Sequence, residues 1–283
     1  MRIILLTSLA MLAFAANSIL NRAGLLSGGI DPFGFAAIRT ISGALVLTLA
    51  LYLRQRKFFT RPKDIWAPAG LLLYMLAFSF AYTILDAGYG ALLLFGAVQL
   101  SMFLFASRTA SRPLKVEILG SVLAFAGLIY LVAPGLQIGG LLPSLAMIGA
   151  GIGWASFTLS GKGAVNPLNA SAASFAVIAP ITLIAWVAVG VEMPRMDGMI
   201  YAIASGAITS AIGYLIWYSV LPQLAVPTAA LVQLTVPIIA ILGGVLWLGE
   251  AVSLRLVIAA TLVTLGVAMG IEARRRASKN PTK

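Results

Sequence analysis

Ten apolar runs of about 20 residues, separated by short polar segments, constrain this chain more than any other feature of it. They fall at roughly 2–22, 33–53, 65–85, 88–107, 116–133, 140–161, 167–190, 198–221, 226–248 and 253–271. About 20 residues is the length a helix needs to cross the hydrocarbon of a bilayer. There every backbone N–H and C=O must be satisfied within the protein, so each run is a helix or a strand of a closed barrel. Barrel strands are about half as long and alternate apolar with polar residues, which these runs do not. Composition agrees: 61% of the 283 residues are apolar and 10% charged, against roughly 45–50% and 25% in soluble domains. The expected fold is an all-α polytopic membrane protein with ten transmembrane helices.

The net charge of +11 raises nucleic acid as a partner, but the placement of the cations points elsewhere. With the N-terminus inside, fifteen Lys and Arg fall on the cytoplasmic side and only Arg22, Arg195 and Arg255 on the outer side, while Arg39 lies within a helix. That is the positive-inside pattern. It predicts cytoplasmic N- and C-termini, a bacterial-type inner membrane, and lipid rather than nucleic acid as the surroundings. Arg2, the stretch 3–12 and Ala13-Phe14-Ala15 resemble a cleavable signal peptide, yet the internal repeat described below requires this segment as a helix. Trp66, Trp186 and Trp247 fall near helix ends, where interfacial aromatic residues belong.

Cysteine and histidine are both absent, which excludes disulfides, Cys or His metal sites and Cys- or His-based catalysis. No phosphate-binding glycine loop occurs, so ATP is not implicated, and no cofactor or metal is expected. The eight carboxylates, Asp31, Asp64, Asp86, Glu117, Glu192, Asp197, Glu250 and Glu272, map to helix ends or loops. A membrane enzyme acting on lipids would need a catalytic acid, base or metal that cannot be assembled from these. A non-transporting scaffold is the other alternative.

A shift of 140 residues aligns Ala13-Phe14-Ala15-Ala16 with Gly153-Trp154-Ala155-Ser156 and Arg22 with Lys162. A shift of 139 brings Leu92 onto Leu231 and Gly127 onto Gly266. The chain then divides into repeats at 1–137 and 138–272, followed by a basic tail at 273–283. Five helices is an odd number, so the copies must cross the membrane in opposite senses. Such inverted duplication is typical of secondary transporters, which bind substrate near the midplane between the repeats.

Several residues carry a resemblance to a known family: Phe14–Arg22 with its repeat Trp154–Lys162, Ile38-Arg39-Thr40, Gln233-Leu234-Thr235-Val236-Pro237, Leu248-Gly249-Glu250 and Gly266. Over essentially its whole length the chain resembles the drug/metabolite transporter superfamily in its EamA-type exporter branch. It departs at Val98-Gln99, where proline is common, and at Ala110-Ser111, where Gly-Glu is common. The resemblance implies a secondary transporter exporting small organic metabolites, amino acids including aromatic ones foremost, by alternating access. Multidrug or other metabolite export is the alternative within the same fold. It also implies that helices one, three, four, six, eight and nine wall the cavity.

The candidate site residues each have a plainer reading beside the functional one. Tyr214, Trp217, Tyr218 and Leu221 share one face of helix eight, and Tyr74, Phe78 and Tyr82 largely share one face of helix three. They wall a cavity, or they pack and meet lipid. Asn17, Gln99, Trp154 and Gln233 lie deep in their spans, where a polar group needs a partner. They hold substrate, or they tie helices together. Pro237 leaves the Gln233 carbonyl without its helical donor and marks a hinge or a tolerated kink. Arg39 holds a substrate carboxylate, or it snorkels or pairs with Asp31 or Asp86. The substrate-binding set is therefore Asn17, Phe78, Tyr82, Gln99, Trp154, Tyr214, Trp217 and Gln233. With no titratable group mid-membrane, transport is expected to be uniport or exchange.

Overall fold

The computed structural model describes residues 2–26, 28–54, 65–106, 114–132, 140–164, 166–251 and 253–279. All ten apolar runs are helical there. They are α1 (Arg2–Leu26), α2 (Pro32–Leu53), α3 (Trp66–Ala81), α4 (Ala87–Ala106), α5 (Lys115–Val132), α6 (Leu141–Lys162) and α7 (Pro167–Val189). The rod α8 (Met196–Gln223) and the broken helix α9 (Val226–Leu248) follow, and α10 (Leu254–Lys279) ends the described chain. Seven, α1, α2, α4, α6, α7, α8 and α9, are long and apolar enough to cross a membrane. Helix α3 and the apolar stretch Leu254–Gly270 of α10 are shorter.

Local chemistry sets the boundaries. The Asp31 carboxylate accepts from the backbone N–H groups of Phe33 and Gly34, both at 2.9 Å, and Pro32 follows at the first helical position. Asn166 and Pro167 open α7 the same way. Gly249, at φ 67°, closes α9 in the left-handed conformation that glycine adopts without strain. The sequence places the end of helix three near residue 85, but α3 stops at Ala81 and the chain turns through Thr83–Leu85. Arg22 is expected at a helix end. Because α1 continues to Leu26, it lies a turn inside and is buried.

Contacts distant in sequence define two ends of the bundle. At one, the N–H of Arg195 donates to the Gly29 carbonyl, Trp186 donates to Asp31, and Glu250 accepts from Ala87. At the other, where α1 begins and α10 ends, Lys162 donates to the Leu224 carbonyl and Ser156 to the Trp66 carbonyl. Trp186, expected in an interfacial belt, is thus part of a helix-to-helix tie.

Polarity is inverted relative to a soluble protein. Large apolar side chains such as Leu246, Leu254 and Ile4 point outward, while Arg39, Asn17, Asn21, Gln99 and Gln233 are buried. The molecule is an all-α polytopic membrane protein. Its helices pair across the chain: α2 on α7, α5 on α10, α4 on α9, α3 on α6 and α1 on α8. Glycines permit the closest approaches. A Cβ on Gly120 would strike the Gly266 carbonyl and one on Gly266 the Gly120 carbonyl, and Gly70 and Gly153 are related in the same reciprocal way.

Candidate substrate site

Helix α8 is not a regular α-helix. Between two α-helical parts, Ser205–Ile212 forms a π-helix, with i→i+5 hydrogen bonds. In an ordinary α-helix residues five apart are rotated by roughly 140°. The wider turn instead directs Ser205, Thr209, Ser210 and Tyr214 toward α1 and α2. Ser205 and Thr209 donate to Asn17 Oδ1 at 2.5 and 3.0 Å. Asn17 Nδ2 donates to the Tyr74 hydroxyl at 3.0 Å. Arg39 Nη2 donates to the same hydroxyl at 3.0 Å and to that of Tyr214 at 2.7 Å, while Arg39 Nε donates to Ser210 at 3.0 Å. One continuous network therefore joins α1, α2, α3 and α8.

Arg39 is fully buried. It neither snorkels nor reaches Asp31, which caps α2, or Asp86, which accepts from Arg22. Among the described residues no carboxylate lies within ion-pair distance of it. The charge is met by hydroxyls and by ring faces, with its carbon 5.1 Å from the Tyr74 centroid and 5.2 Å from that of Phe78. Its Nη1 is buried and makes no hydrogen bond.

Aromatic rings enclose this network. Phe14 meets Trp154 edge-on at 5.0 Å and Trp217 at 5.8 Å. Trp154 lies 5.1 Å from Tyr74 and 4.8 Å from Tyr214, and Phe157 packs beside both Trp154 and Tyr214. Trp154 Nε1 donates to Gln233 Oε1 at 2.6 Å, and Gln233 Nε2 donates to the Ala229 carbonyl at 3.0 Å. Gln233 ends the first part of α9, which breaks at Leu234 and resumes at Thr235. Pro237, which has no N–H to offer the Gln233 carbonyl, lies just beyond that break.

Of the residues singled out from the sequence, Asn17, Phe78, Trp154, Tyr214, Trp217 and Gln233 are therefore gathered with Arg39. Tyr82 lies at the margin, stacked edge-on against Phe78 at 4.6 Å with its hydroxyl donating to the Ala87 carbonyl at 3.1 Å. Gln99 is not part of the group. It donates to Ser121 of α5 at 3.0 Å and lines a lateral groove of about 330 Å³ between α4 and α5. In the sequence Tyr74 stands out only as one member of a stripe, and Phe14, Phe157, Ser205, Thr209 and Ser210 do not stand out as site residues. The signal available for the last three is a run of hydroxyls inside an otherwise apolar span.

Seated at the centre of a lipid-facing helical bundle, an arginine, an asparagine and two tyrosines bound to one another define a membrane protein with a polar interior site. The EamA-like transporter family model matches residues 141–271. The relative named Uncharacterized protein PA1977, from Pseudomonas aeruginosa, is 43% identical over 271 residues, covering 95% of this chain and 94% of that protein. A solved structure titled only as the crystal structure of a protein shares the fold. Its TM-score is 0.79 at 18% identity, over 97% of this chain and 99% of that one. The chain belongs to the EamA-like transporter family, and so to a group of membrane transporters of small molecules.

Proposed function

We propose that the protein is a secondary transporter of the inner membrane that exports small organic metabolites with an apolar part, amino acids foremost and aromatic ones among them. One observation carries the reading: residues related by the 140-residue shift meet at the centre of the bundle. Phe14 and Trp154 are in ring contact, and Tyr74 and Tyr214 share one nitrogen of Arg39. A pseudo-two-fold axis through this cluster is what two inverted repeats, 1–137 and 138–272, would produce, with substrate bound on the axis. The mirrored pairing of α3 on α6 and α1 on α8 supports the same division. So does the α5–α10 crossing, where Gly120 meets Gly266 and its counterpart pair, Gly127 and Ala259, also touch.

Alternating access would come from the two halves rocking about the cluster, with the break at Leu234 beside Pro237 as a hinge. The hydroxyl and amide groups suit polar ends of a metabolite, and the rings suit an apolar body. Counterflow tests the reading. Purified protein in liposomes loaded with unlabelled phenylalanine or leucine is expected to take up the labelled compound transiently above equilibrium. Absence of counterflow across a panel of amino acids, carboxylic acids and amines would remove the proposal.

A further inference from the structure

We propose that Arg39 anchors a carboxylate of the transported molecule, and that the site takes small carboxylates with an apolar body whether or not they carry an amino group. This rests on the transporter reading above and narrows it to a substrate class.

A guanidinium stays protonated at any physiological pH and offers five N–H donors in a fixed fork. In Arg39 the Nε and Nη2 nitrogens are engaged by Ser210, Tyr74 and Tyr214, and Nη1 is left with no partner in a fully buried setting. A buried charge is normally paired, because an unpaired one forfeits its hydration without return. Here the partners are neutral hydroxyls, which can turn to donate when an anion arrives. A carboxylate presents two oxygens that match the guanidinium fork. The indole N–H of Trp217, also buried without a partner, supplies a further unused donor in the same cluster. Phe14, Phe78 and Trp154 provide walls for an apolar body.

The cluster is also asymmetric in charge. It holds a cation but, among the described residues, no carboxylate. Asp31, Asp86, Glu117, Asp197 and Glu250 all sit at helix ends, away from Arg39. An ammonium group would find amide and hydroxyl oxygens but no ion pair. A carboxylate is therefore required and an amino group is only tolerated. The rings close around Arg39 in this structure, so the anion reaches it when the helices part.

The test uses two matched sets: phenylalanine, 3-phenylpropanoate and 2-phenylethylamine, then leucine, 4-methylpentanoate and 3-methylbutylamine. Binding to the purified wild-type protein is read by tryptophan fluorescence and by thermal shift. In at least one set the amino acid and its des-amino acid are expected to bind within about tenfold of each other, and the amine at least about tenfold more weakly. Arg39→Met is expected to lose carboxylate binding by about tenfold or more, and Arg39→Lys to recover part of it. The wild-type comparison stands even where a variant fails to fold. Amines binding as well as the acids, no acid binding at millimolar concentration, or unchanged acid binding by folded Arg39→Met would each overturn the proposal. Counterflow of amines or neutral compounds that ignores Arg39 would overturn it while leaving the transporter reading intact.

Discussion

The hydroxyls of Tyr74 and Tyr214, on helices α3 and α8, accept hydrogen bonds from the same nitrogen of Arg39, at 3.0 and 2.7 Å. The two tyrosines are separated by the same 140 residues that align Phe14 with Trp154. Each is thus the other's backup in holding a buried cation. Either Tyr→Phe change alone leaves Nη2 one acceptor and is expected to cost about 1.5–3 kcal/mol, the range for hydrogen bonds to charged groups. Tyr74→Phe is expected to be the costlier, because it also takes the acceptor from Asn17 Nδ2. The double change strands the nitrogen and is expected to cost more than the two single losses combined. Thermal unfolding of the four proteins in detergent measures this, and strictly additive losses would show that the pair does not share one charge.

Much of this architecture is legible in the sequence because lipid enforces it. A run of about 20 apolar residues is too long for a barrel strand and satisfies its backbone in hydrocarbon as a helix. The apolar pattern therefore places a helix at each of the ten runs, seven of them long and apolar enough to cross a membrane. The face each residue presents is harder to read. Gln99 and Gln233 lie at similar depth in their helices, yet one bonds to Ser121 at a lateral groove and the other to Trp154 at the centre. Depth says that a polar group needs a partner and not on which side it finds one. The π-helix at Ser205–Ile212 leaves no trace in the apolar pattern, since a change of hydrogen-bond register leaves composition unchanged. Without it, Ser205 and Ser210 would not be assigned to one network.

The glycine crossings separate close packing from mere presence in a helix. An alanine Cβ at Gly120 would meet the Gly266 backbone carbonyl, which cannot yield without moving α10. Gly120→Ala is expected to destabilise by about 1–3 kcal/mol, as overpacking does. Gly149, on α6, has open space around its Cα, so Gly149→Ala is expected to be neutral or to stabilise by up to about 1 kcal/mol. Equal melting temperatures for the two variants would contradict the assignment of α5–α10 as a tight interface.

At the bundle end away from the termini, Arg22 reaches the carbonyls of Tyr82 and Thr83 and the Asp86 carboxylate at 3.1–3.3 Å. Its Nε approaches Glu250 only to 3.9 Å and makes no hydrogen bond. Burial pushes the Glu250 carboxyl above its ordinary pKa, outweighing the Ala87 N–H that it accepts and the loose pairing with Arg22. The folded protein then binds this proton more readily than the unfolded chain does. Glu250 therefore adds stability as pH falls through its raised pKa toward the ordinary carboxylate value near 4.3, and the contribution disappears above that window. Glu250→Gln keeps an oxygen for the Ala87 N–H and removes the titration. It is expected to match or exceed wild-type stability at pH 8 and to flatten the pH profile. A variant that melts lower at pH 8 would show that the ion pair outweighs burial.

Topology can be read directly because the chain has no cysteine. Met193, between α7 and α8, and Ala277, near the end of α10, are both exposed and lie at opposite ends of the bundle. From the distribution of Lys and Arg, Ala277 is expected on the cytoplasmic side. A cysteine at Met193 should react with an impermeant reagent added to intact cells, and one at Ala277 only after the cells are opened. The reverse pattern would invert the assignment.

Transport is expected to proceed without obligatory proton coupling. A proton-coupled carrier needs a group that gains and loses a proton inside the membrane, usually Asp, Glu or His. The chain has no histidine, and Arg39 holds its proton throughout. Among the described carboxylates, Asp31 caps α2, Asp86 immediately precedes α4, Glu117 lies in the first turn of α5 and Asp197 in that of α8, and Glu250 follows α9. Glu192 lies between α7 and α8, Glu272 lies past the apolar stretch of α10, and Asp64 falls outside the described residues. Leucine is a suitable probe because, as a zwitterion, it does not cross the bilayer passively as a weak acid would. Liposomes carrying the protein should equilibrate leucine at the same rate with or without an imposed pH gradient, and should not concentrate it. If the gradient alone drives leucine uphill, and Asp86→Asn or Glu250→Gln abolishes that drive, then a carboxylate at the bundle end enters the transport cycle and the uniport or exchange reading fails.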